Sequence, residues 1–173
     1  MHEEAQCYRI PGAVWSLELS AAVVSTLISH AQRSLSSKES VGQLYSSDLQ
    51  SDCIRIDTVT KLKPLSSSSQ RVCVDITAVN RERAKFFQNG LHCLGFWHSH
   101  PELIPNPSQE DILMAADHAL ASHKIFAGIV FIIVGTAPPP MGIGVWVHDG
   151  LSLRRAVYFN SCPLPVSEGN ASS

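Results

Sequence analysis

Two histidines one residue apart, His98 and His100, sit in the stretch GFWHSHPELIPNPSQEDI, which also holds Glu102, Ser108, Glu110 and Asp111. On a β-strand, residues two apart project to the same side, so both imidazoles can converge on one point. Imidazole is a common ligand of zinc, and its rigid ring suits a fixed tetrahedral centre. Pro101 ends such a strand because it has no N–H to give to the ladder. The segment PELIPNP then forms a stiff return to Ser108, which opens a helix, and Asp111 in the first turn of that helix can supply a third ligand. Three protein ligands leave one coordination position open, the arrangement of a catalytic rather than a structural zinc. Zinc acidifies water, so the centre also needs a group that accepts and returns a proton and a donor for the oxyanion that forms. Ser108 can be that donor. Glu39, Glu102 and Glu110 can each be the proton carrier, and residue types and spacing alone do not choose among them.

Blander readings stand beside these. Ser108-x-x-Asp111 is also the pattern of a helix capping box, and a side chain bound to metal is not expected to close that box as well. Glu102 and Glu110 read as solvated acids. His118 falls seven residues after Asp111 and reads as an ordinary, partly buried histidine, with support of the metal site as the sharper alternative. Trp97 lies on the opposite side of its strand from His98 and belongs to the core. Cys93 reads as a small buried hydrophobe.

The elements that must position these groups follow from periodicity and punctuation. VWSLEL, from Val14 to Leu19, is the first strand. Ser20 caps a helix with Val23, Val24, Leu27, Ile28 and Ala31 along one face. VGQLYS, CIRIDTV and RVCVDIT read as strands, and the serine-rich segment KPLSSSSQ (64–70 within it) as a loop. NRERAKFFQNG is a short helix stopped at Asn89-Gly90. LHCLGFW carries the strand into His98. The helix opened at Ser108 runs to about Ser122, with Ile112, Ala115, Ala116 and Ala119 on its inner face. FAGIVFIIVG is a buried central strand. GIGVWVHDG and LRRAVYF are two more strands joined by a turn at Asp149-Gly150. Strands and helices interleave throughout, so the expected architecture is α/β, one mixed sheet flanked by helices.

Composition sets the outer limits. The chain has 173 residues, 45% hydrophobic and 16% charged, enough apolar material for one buried core and too little charge for global disorder. A formal net charge of −2 and the lack of a basic stripe argue against nucleic-acid binding. The five cysteines are odd in number and scattered without a CxxC pair, which argues against a disulfide framework and a cysteine-built zinc knuckle. No apolar run reaches the roughly 20 residues needed to span a bilayer. The start has no signal-peptide pattern. The expectation is one domain over 1–173, with its core at about 14–160 and peripheral ends including 161–173, in a cytoplasmic protein.

The run His98-Ser99-His100-Pro101, the seven residues from Pro101 to Pro107, and Ser108-x-x-Asp111 resemble the signature of the JAMM (MPN+) metalloprotease family. The segment SSKESVGQLYSS resembles the family's upstream part, in which a glutamate precedes a glycine at the start of a strand. The resemblance implies a single-domain JAMM fold, deaminase-like, with one catalytic zinc ion held by His98, His100 and Asp111. It implies Glu39 as the general acid/base and Ser108 as the oxyanion donor. It further implies an isopeptidase or peptidase acting at the C-terminal tail of a ubiquitin-like protein or its conjugate. LGFWHSHPE and PNPSQED are most similar to small prokaryotic members, deubiquitinase-like peptidases encoded beside E1-like and E2-like proteins in bacterial conjugation or antiphage operons. The short GTAPPPMG segment stands where eukaryotic lysine-63-specific members carry a long zinc-stapled insertion. The alternatives are a processing peptidase for a sulfur-carrier-type ubiquitin-like protein and a scaffold that keeps the fold without catalysis.

Overall fold

The computed structural model describes residues 4–34, 36–67, 72–122 and 128–160. In chain order, strands β1 (Gln6–Arg9) and β2 (Ser16–Leu19) lead into helix α1 (Ala21–Ser29). Strands β3 (Val41–Ser46), β4 (Cys53–Ile56) and β5 (Thr58–Val59) follow, then β6 (Pro64–Ser67), β7 (Val72–Val74) and helix α2 (Ile76–Gln88). Strand β8 (His92–Ser99), helix α3 (Gln109–Ser122), β9 (Ile129–Val134), β10 (Ile143–His148), β11 (Leu153–Arg155) and β12 (Val157–Phe159) complete the described fold.

Every residue of IVFIIV in β9 is buried, because the strand runs through the middle of a sheet covered on both faces. That sheet has six strands in the order β11-β10-β9-β8-β3-β5, with β8 and β9 parallel and the other neighbours antiparallel. A second sheet has four strands in the order β12-β1-β2-β4, parallel only between β2 and β4. The fold is therefore mixed α/β as expected, but its strands divide into two sheets rather than one, with β6 and β7 as a separate hairpin.

One large apolar cluster joins Tyr8, Leu17 and Leu19 of the smaller sheet and Val23, Val24 and Leu27 of α1 to Trp97, Val130, Ile132 and Val145 of the larger one. A second cluster gathers Phe96, Phe131, Ile133 and Trp146 under Ala115 of α3. On that same side α2 is tied to β3: Gln43 Nε2 and Tyr45 Oη donate to Glu82 Oε1, and Tyr45 stacks on Phe86.

Several elements differ from their sequence expectation. Strand β1 was not signalled, since QCYR is short and does not alternate. CIRIDTV is two strands, because the chain leaves the smaller sheet at Asp57 and joins the larger one, with Asp57 N–H donating to Tyr45 O. LRRAVYF is likewise two strands: at Ala156 the chain crosses back, and Ala156 N–H donates to Val145 O. Such switches form the corners between packed sheets. The strand in RVCVDIT ends at Val74, since Asp75 caps α2 by accepting from Thr77 N–H at 2.8 Å. Helix α2 thus begins at Ile76, well before NRERAKFFQNG. Pro64–Ser67 of the serine-rich segment is a strand rather than loop, and 68–70 lie outside the described residues.

The Ser20 cap and the Asn89-Gly90 stop are as expected; Gly90 adopts φ +76°. Cys7 is disulfide-bonded, a pairing that the cysteine positions did not signal, and Cys53 and Cys93 are free. Cys93 is only half-buried, its thiol beside Gln43 and Gly95. No helix among the described residues is long and apolar enough to cross a membrane.

Candidate metal centre

Strand β8 delivers both histidines at its C-terminal end. His98 is 2% exposed, and its ring rests against Phe131 at 5.0 Å between centroids. The ladder continues past the strand, with His100 N–H donating to Val134 O at 2.8 Å. The two Nε2 atoms point at each other across 2.8 Å. The strand periodicity that predicted convergence is the cause.

The proline-rich return is pinned along its length. Thr136 N–H donates to Glu102 O at 2.9 Å and Ala137 N–H to Leu103 O at 3.0 Å, while Pro105 is buried. A Cβ on Gly135 would lie 2.7 Å from both the Glu102 and Leu103 oxygens, so only glycine admits this close approach. The chain thereby reaches Ser108 at a fixed angle.

Ser108 and Asp111 close a reciprocal capping box at the start of α3. Asp111 Oδ2 accepts from Ser108 N–H at 2.7 Å and from its hydroxyl at 2.8 Å, and Asp111 N–H donates to Ser108 Oγ at 3.2 Å. Asp111 still faces the imidazoles: its Oδ1 lies 3.3 Å from His98 Nε2, and its Oδ2 lies 3.5 Å from His100 Nε2. Asp111 closes the box and faces the imidazoles at the same time, because a carboxylate has two oxygens and about four lone-pair sites. The Ser108 hydroxyl is committed to Asp111 in this arrangement.

Glu39, some sixty residues upstream, closes the other side. Strand β3 begins at Val41 directly opposite His98, which brings Glu39 Oε1 to 3.8 Å from His98 Nε2. One ligand atom each from Glu39, His98 and His100 lies within 4.8 Å of the others, a group able to hold a metal ion.

Burial pushes the Glu39 carboxyl up to about 7, with His98 opposing and the charges of Asp111 and Glu110 adding to the rise. Burial acts in the same direction on Asp111, but the hydrogen bond and charge of His98 and the two donors of Ser108 outweigh it and hold that carboxyl at about 2. His100 is pushed down, first by burial and then by His98, which favours the neutral imidazole that binds metals.

The donor set fits a divalent cation. Two imidazole nitrogens and two carboxylates meet in a largely buried place, and among the described residues no Lys or Arg pairs with either acid. Buried charges of this kind are ordinarily paired or coordinate metals. Nitrogen with carboxylate oxygen is a zinc-type set that other divalent ions also accept.

Of the remaining candidates, Glu110 is exposed and reaches the centre through its charge on Glu39. Glu102, read as solvated, has Oε2 3.3 Å from His100 Nδ1. That nitrogen is buried and makes no hydrogen bond, so the contact is ionic in range without hydrogen-bond alignment. Adjacency in HPE was the only sequence signal for it. His118 packs its ring on Phe96 at 4.8 Å, in keeping with the bland reading. Ile112, expected on the inner face of α3, is 37% exposed, while Ala115 and Ala119 are buried. Trp97 is fully buried, its Nε1–H donating to Thr60 O at 2.8 Å.

Residues 20–148 match the family described as prokaryotic homologs of the JAB domain. No curated protein matches the chain. Among solved structures, the solution structure of protein DSY2949 from Desulfitobacterium hafniense is similar, with a TM-score of 0.60 and 21% identity over 79% of this chain and 87% of that one. At that identity the likeness is one of fold.

Proposed function

Because the chain belongs to the prokaryotic JAB-domain family, we propose that it is a zinc-dependent isopeptidase or peptidase that cuts at the C-terminal tail of a ubiquitin-like protein. The observation that carries this reading is the convergence of His98, His100, Asp111 and Glu39 from three separate segments on one point. His98 Nε2, His100 Nε2 and an Asp111 oxygen would hold the ion. Asp111 would be the third ligand and Glu39 the proton carrier, as the family resemblance implies, and Asp111 Oδ1 lies 3.3 Å from His98 Nε2 against 3.8 Å for Glu39 Oε1.

When bound, zinc supplies Lewis acidity, which both acidifies water and polarises a carbonyl. Glu39 Oε1 takes the proton from the attacking water and hands it to the nitrogen of the leaving amine. Its carboxyl, pushed up by burial, is suited to carrying a proton near neutral pH. The Ser108 hydroxyl turns from Asp111 Oδ2 to donate to the substrate oxyanion, and Ser108 N–H keeps the Asp111 carboxylate oriented as it does so. No covalent bond between enzyme and substrate forms on this route. The substrate class rests on the resemblance of LGFWHSHPE and PNPSQED to small prokaryotic members. The same resemblance suggests E1-like and E2-like proteins as partners.

The test uses purified protein loaded with zinc and a panel of ubiquitin-like domains ending in Gly-Gly and joined to a lysine side chain, a peptide or a small adduct. Wild type should hold about one zinc and cleave, and Glu39→Ala should keep the zinc and lose turnover by at least about a hundredfold. Selective release of small adducts alone would favour the sulfur-carrier processing role. Absence of zinc would favour the scaffold. Undiminished cleavage by Glu39→Ala would remove Glu39 as the proton carrier.

A further inference from the structure

Resting on the reading of the centre given above, we propose that Ser99, the residue between the two histidines, is a positioning residue that sets where Glu39 stands. Among the described residues the Glu39 side chain makes no hydrogen bond; its ion-pair approach is the 3.8 Å to His98, with His100 also near. A half-buried carboxylate without an anchor of its own takes its place from the backbone that carries it. That backbone is fixed one residue later.

Ser40 N–H donates to Ser99 Oγ at 2.9 Å, and Ser99 N–H donates to Ser40 O at 2.9 Å. The pair extends the β3–β8 ladder beyond its last registered partners, Val41 and His98. Ser99 is tied at a third point, where Gln32 Nε2 donates to its carbonyl at 3.2 Å. Ser99 is 0% exposed, Gln32 4% and Ser40 9%, so water does not compete effectively for these bonds.

The alternation of a strand explains the economy of the arrangement. His98 and His100 project to the metal side, and Ser99 projects away from it, its hydroxyl accepting from Ser40 N–H in the adjacent segment. One backbone stretch thus presents two ligands and, through the side chain between them, fixes the segment that carries Glu39. The position needs a small side chain with an acceptor one atom beyond Cβ, which Ser and Thr supply and Ala lacks. Ser99 does not touch substrate or metal on this account, and its effect reaches the reaction through Glu39.

The experiment compares zinc-loaded wild type, Ser99→Ala, Ser99→Thr and Glu39→Gln. Zinc affinity is measured by competition with a chromophoric chelator, exchange of the Ser40 amide by nuclear magnetic resonance, and kcat and KM on a Gly-Gly-tailed ubiquitin-like domain joined to a fluorescent amine. Ser99→Ala should bind zinc within about threefold of wild type and exchange its Ser40 amide at least about tenfold faster, since the acceptor of that amide is gone. Its kcat should fall by about tenfold to a hundredfold at unchanged KM, towards the Glu39→Gln level, because small displacements of a catalytic group are costly. Ser99→Thr should restore both exchange and kcat.

Unchanged Ser40 exchange, unchanged kcat, or failure of Ser99→Thr to rescue would each overturn the proposal. Parallel loss of zinc affinity and kcat would also overturn it, assigning Ser99 to the ligand strand alone. If Ser99→Ala does not fold, Ser99→Cys carries the same test, because its sulfur is a weak acceptor. If wild type itself fails to cleave the probe, the proposed function is at fault, and the exchange and zinc measurements still judge the role of Ser99.

Discussion

Replacing Gly42 by alanine would put a methyl group 1.7 Å from Thr60 O and 2.5 Å from Trp97 Nε1, the two atoms joined by a 2.8 Å hydrogen bond. The methyl must therefore part the bond or push β3 away from the Thr60 backbone. Overpacking of a closely packed site costs about 1–3 kcal/mol. A buried Trp97 N–H left without its acceptor adds about 1–3 kcal/mol. A combined loss of about 2–6 kcal/mol corresponds, for a chain of this size, to a fall of roughly 4–24 °C in the unfolding midpoint. The damage should reach the metal centre, because Gly42 pairs with Trp97 and the neighbouring Val41 with His98. Differential scanning calorimetry with and without zinc, together with zinc content per chain, measures both effects. A midpoint within about 2 °C of wild type with full zinc content would refute the reasoning, showing that the Thr60 segment withdraws at little cost.

Chelation should abolish turnover, and thiol alkylation should leave it intact because no thiol is in the proposed chemistry; zinc at a hundredfold excess over its Kd should add about 2.7 kcal/mol to the stability of the metal-free protein. A thermal midpoint that does not respond to zinc would count against the centre. Asp111→Asn should lower zinc affinity at least about tenfold while leaving helicity by circular dichroism unchanged, because the amide oxygen still accepts from Ser108. Equal loss of both would mean that the capping role dominates. Glu102→Ala should weaken zinc binding by no more than about threefold, because the exposed carboxylate approaches His100 Nδ1 without a hydrogen bond, and Glu102→Gln should recover part of it. A loss of about tenfold or more in a competition titration would instead make Glu102 a support of the His100 ligand.

The centre was the most legible part of the sequence, because its signal is local: a period of two places His98 and His100, and a seven-residue return places Ser108 and Asp111. Glu39 was legible only by family resemblance, since nothing in SSKES announces that β3 will run beside β8. Glu102 is exposed, as read, although adjacency to a ligand in sequence did not foretell that its carboxylate stands 3.3 Å from His100 Nδ1. The two strand switches escaped for a different reason. Asp57 and Ala156 lack the Gly or Pro punctuation that marks a break, and a change of sheet alters hydrogen-bond partners without altering the extended backbone. The serine-rich strand at Pro64–Ser67 has the composition of a loop, and pairing with Val72–Val74 makes it a strand. Ile112 illustrates the limit of helical phase: once Asp111 must face inward to meet the histidines, its next neighbour is turned towards solvent.

The return of the chain to β1 at its last described strand bears on the order in which the molecule is built. Cys7 pairs with Phe159 and Arg9 with Val157, a separation of about 150 residues in a chain made from the N-terminus onward. The elements that carry the centre, the entry to β3, the end of β8 and the start of α3, have all been synthesised before β12 exists. During synthesis β1 therefore presents an open edge for most of the time the chain is growing, the condition under which edges recruit wrong partners. The smaller sheet acts as the closing seam of the molecule, and a nascent chain arrested before Val157 should already hold the pieces of a metal centre while remaining prone to aggregate along β1.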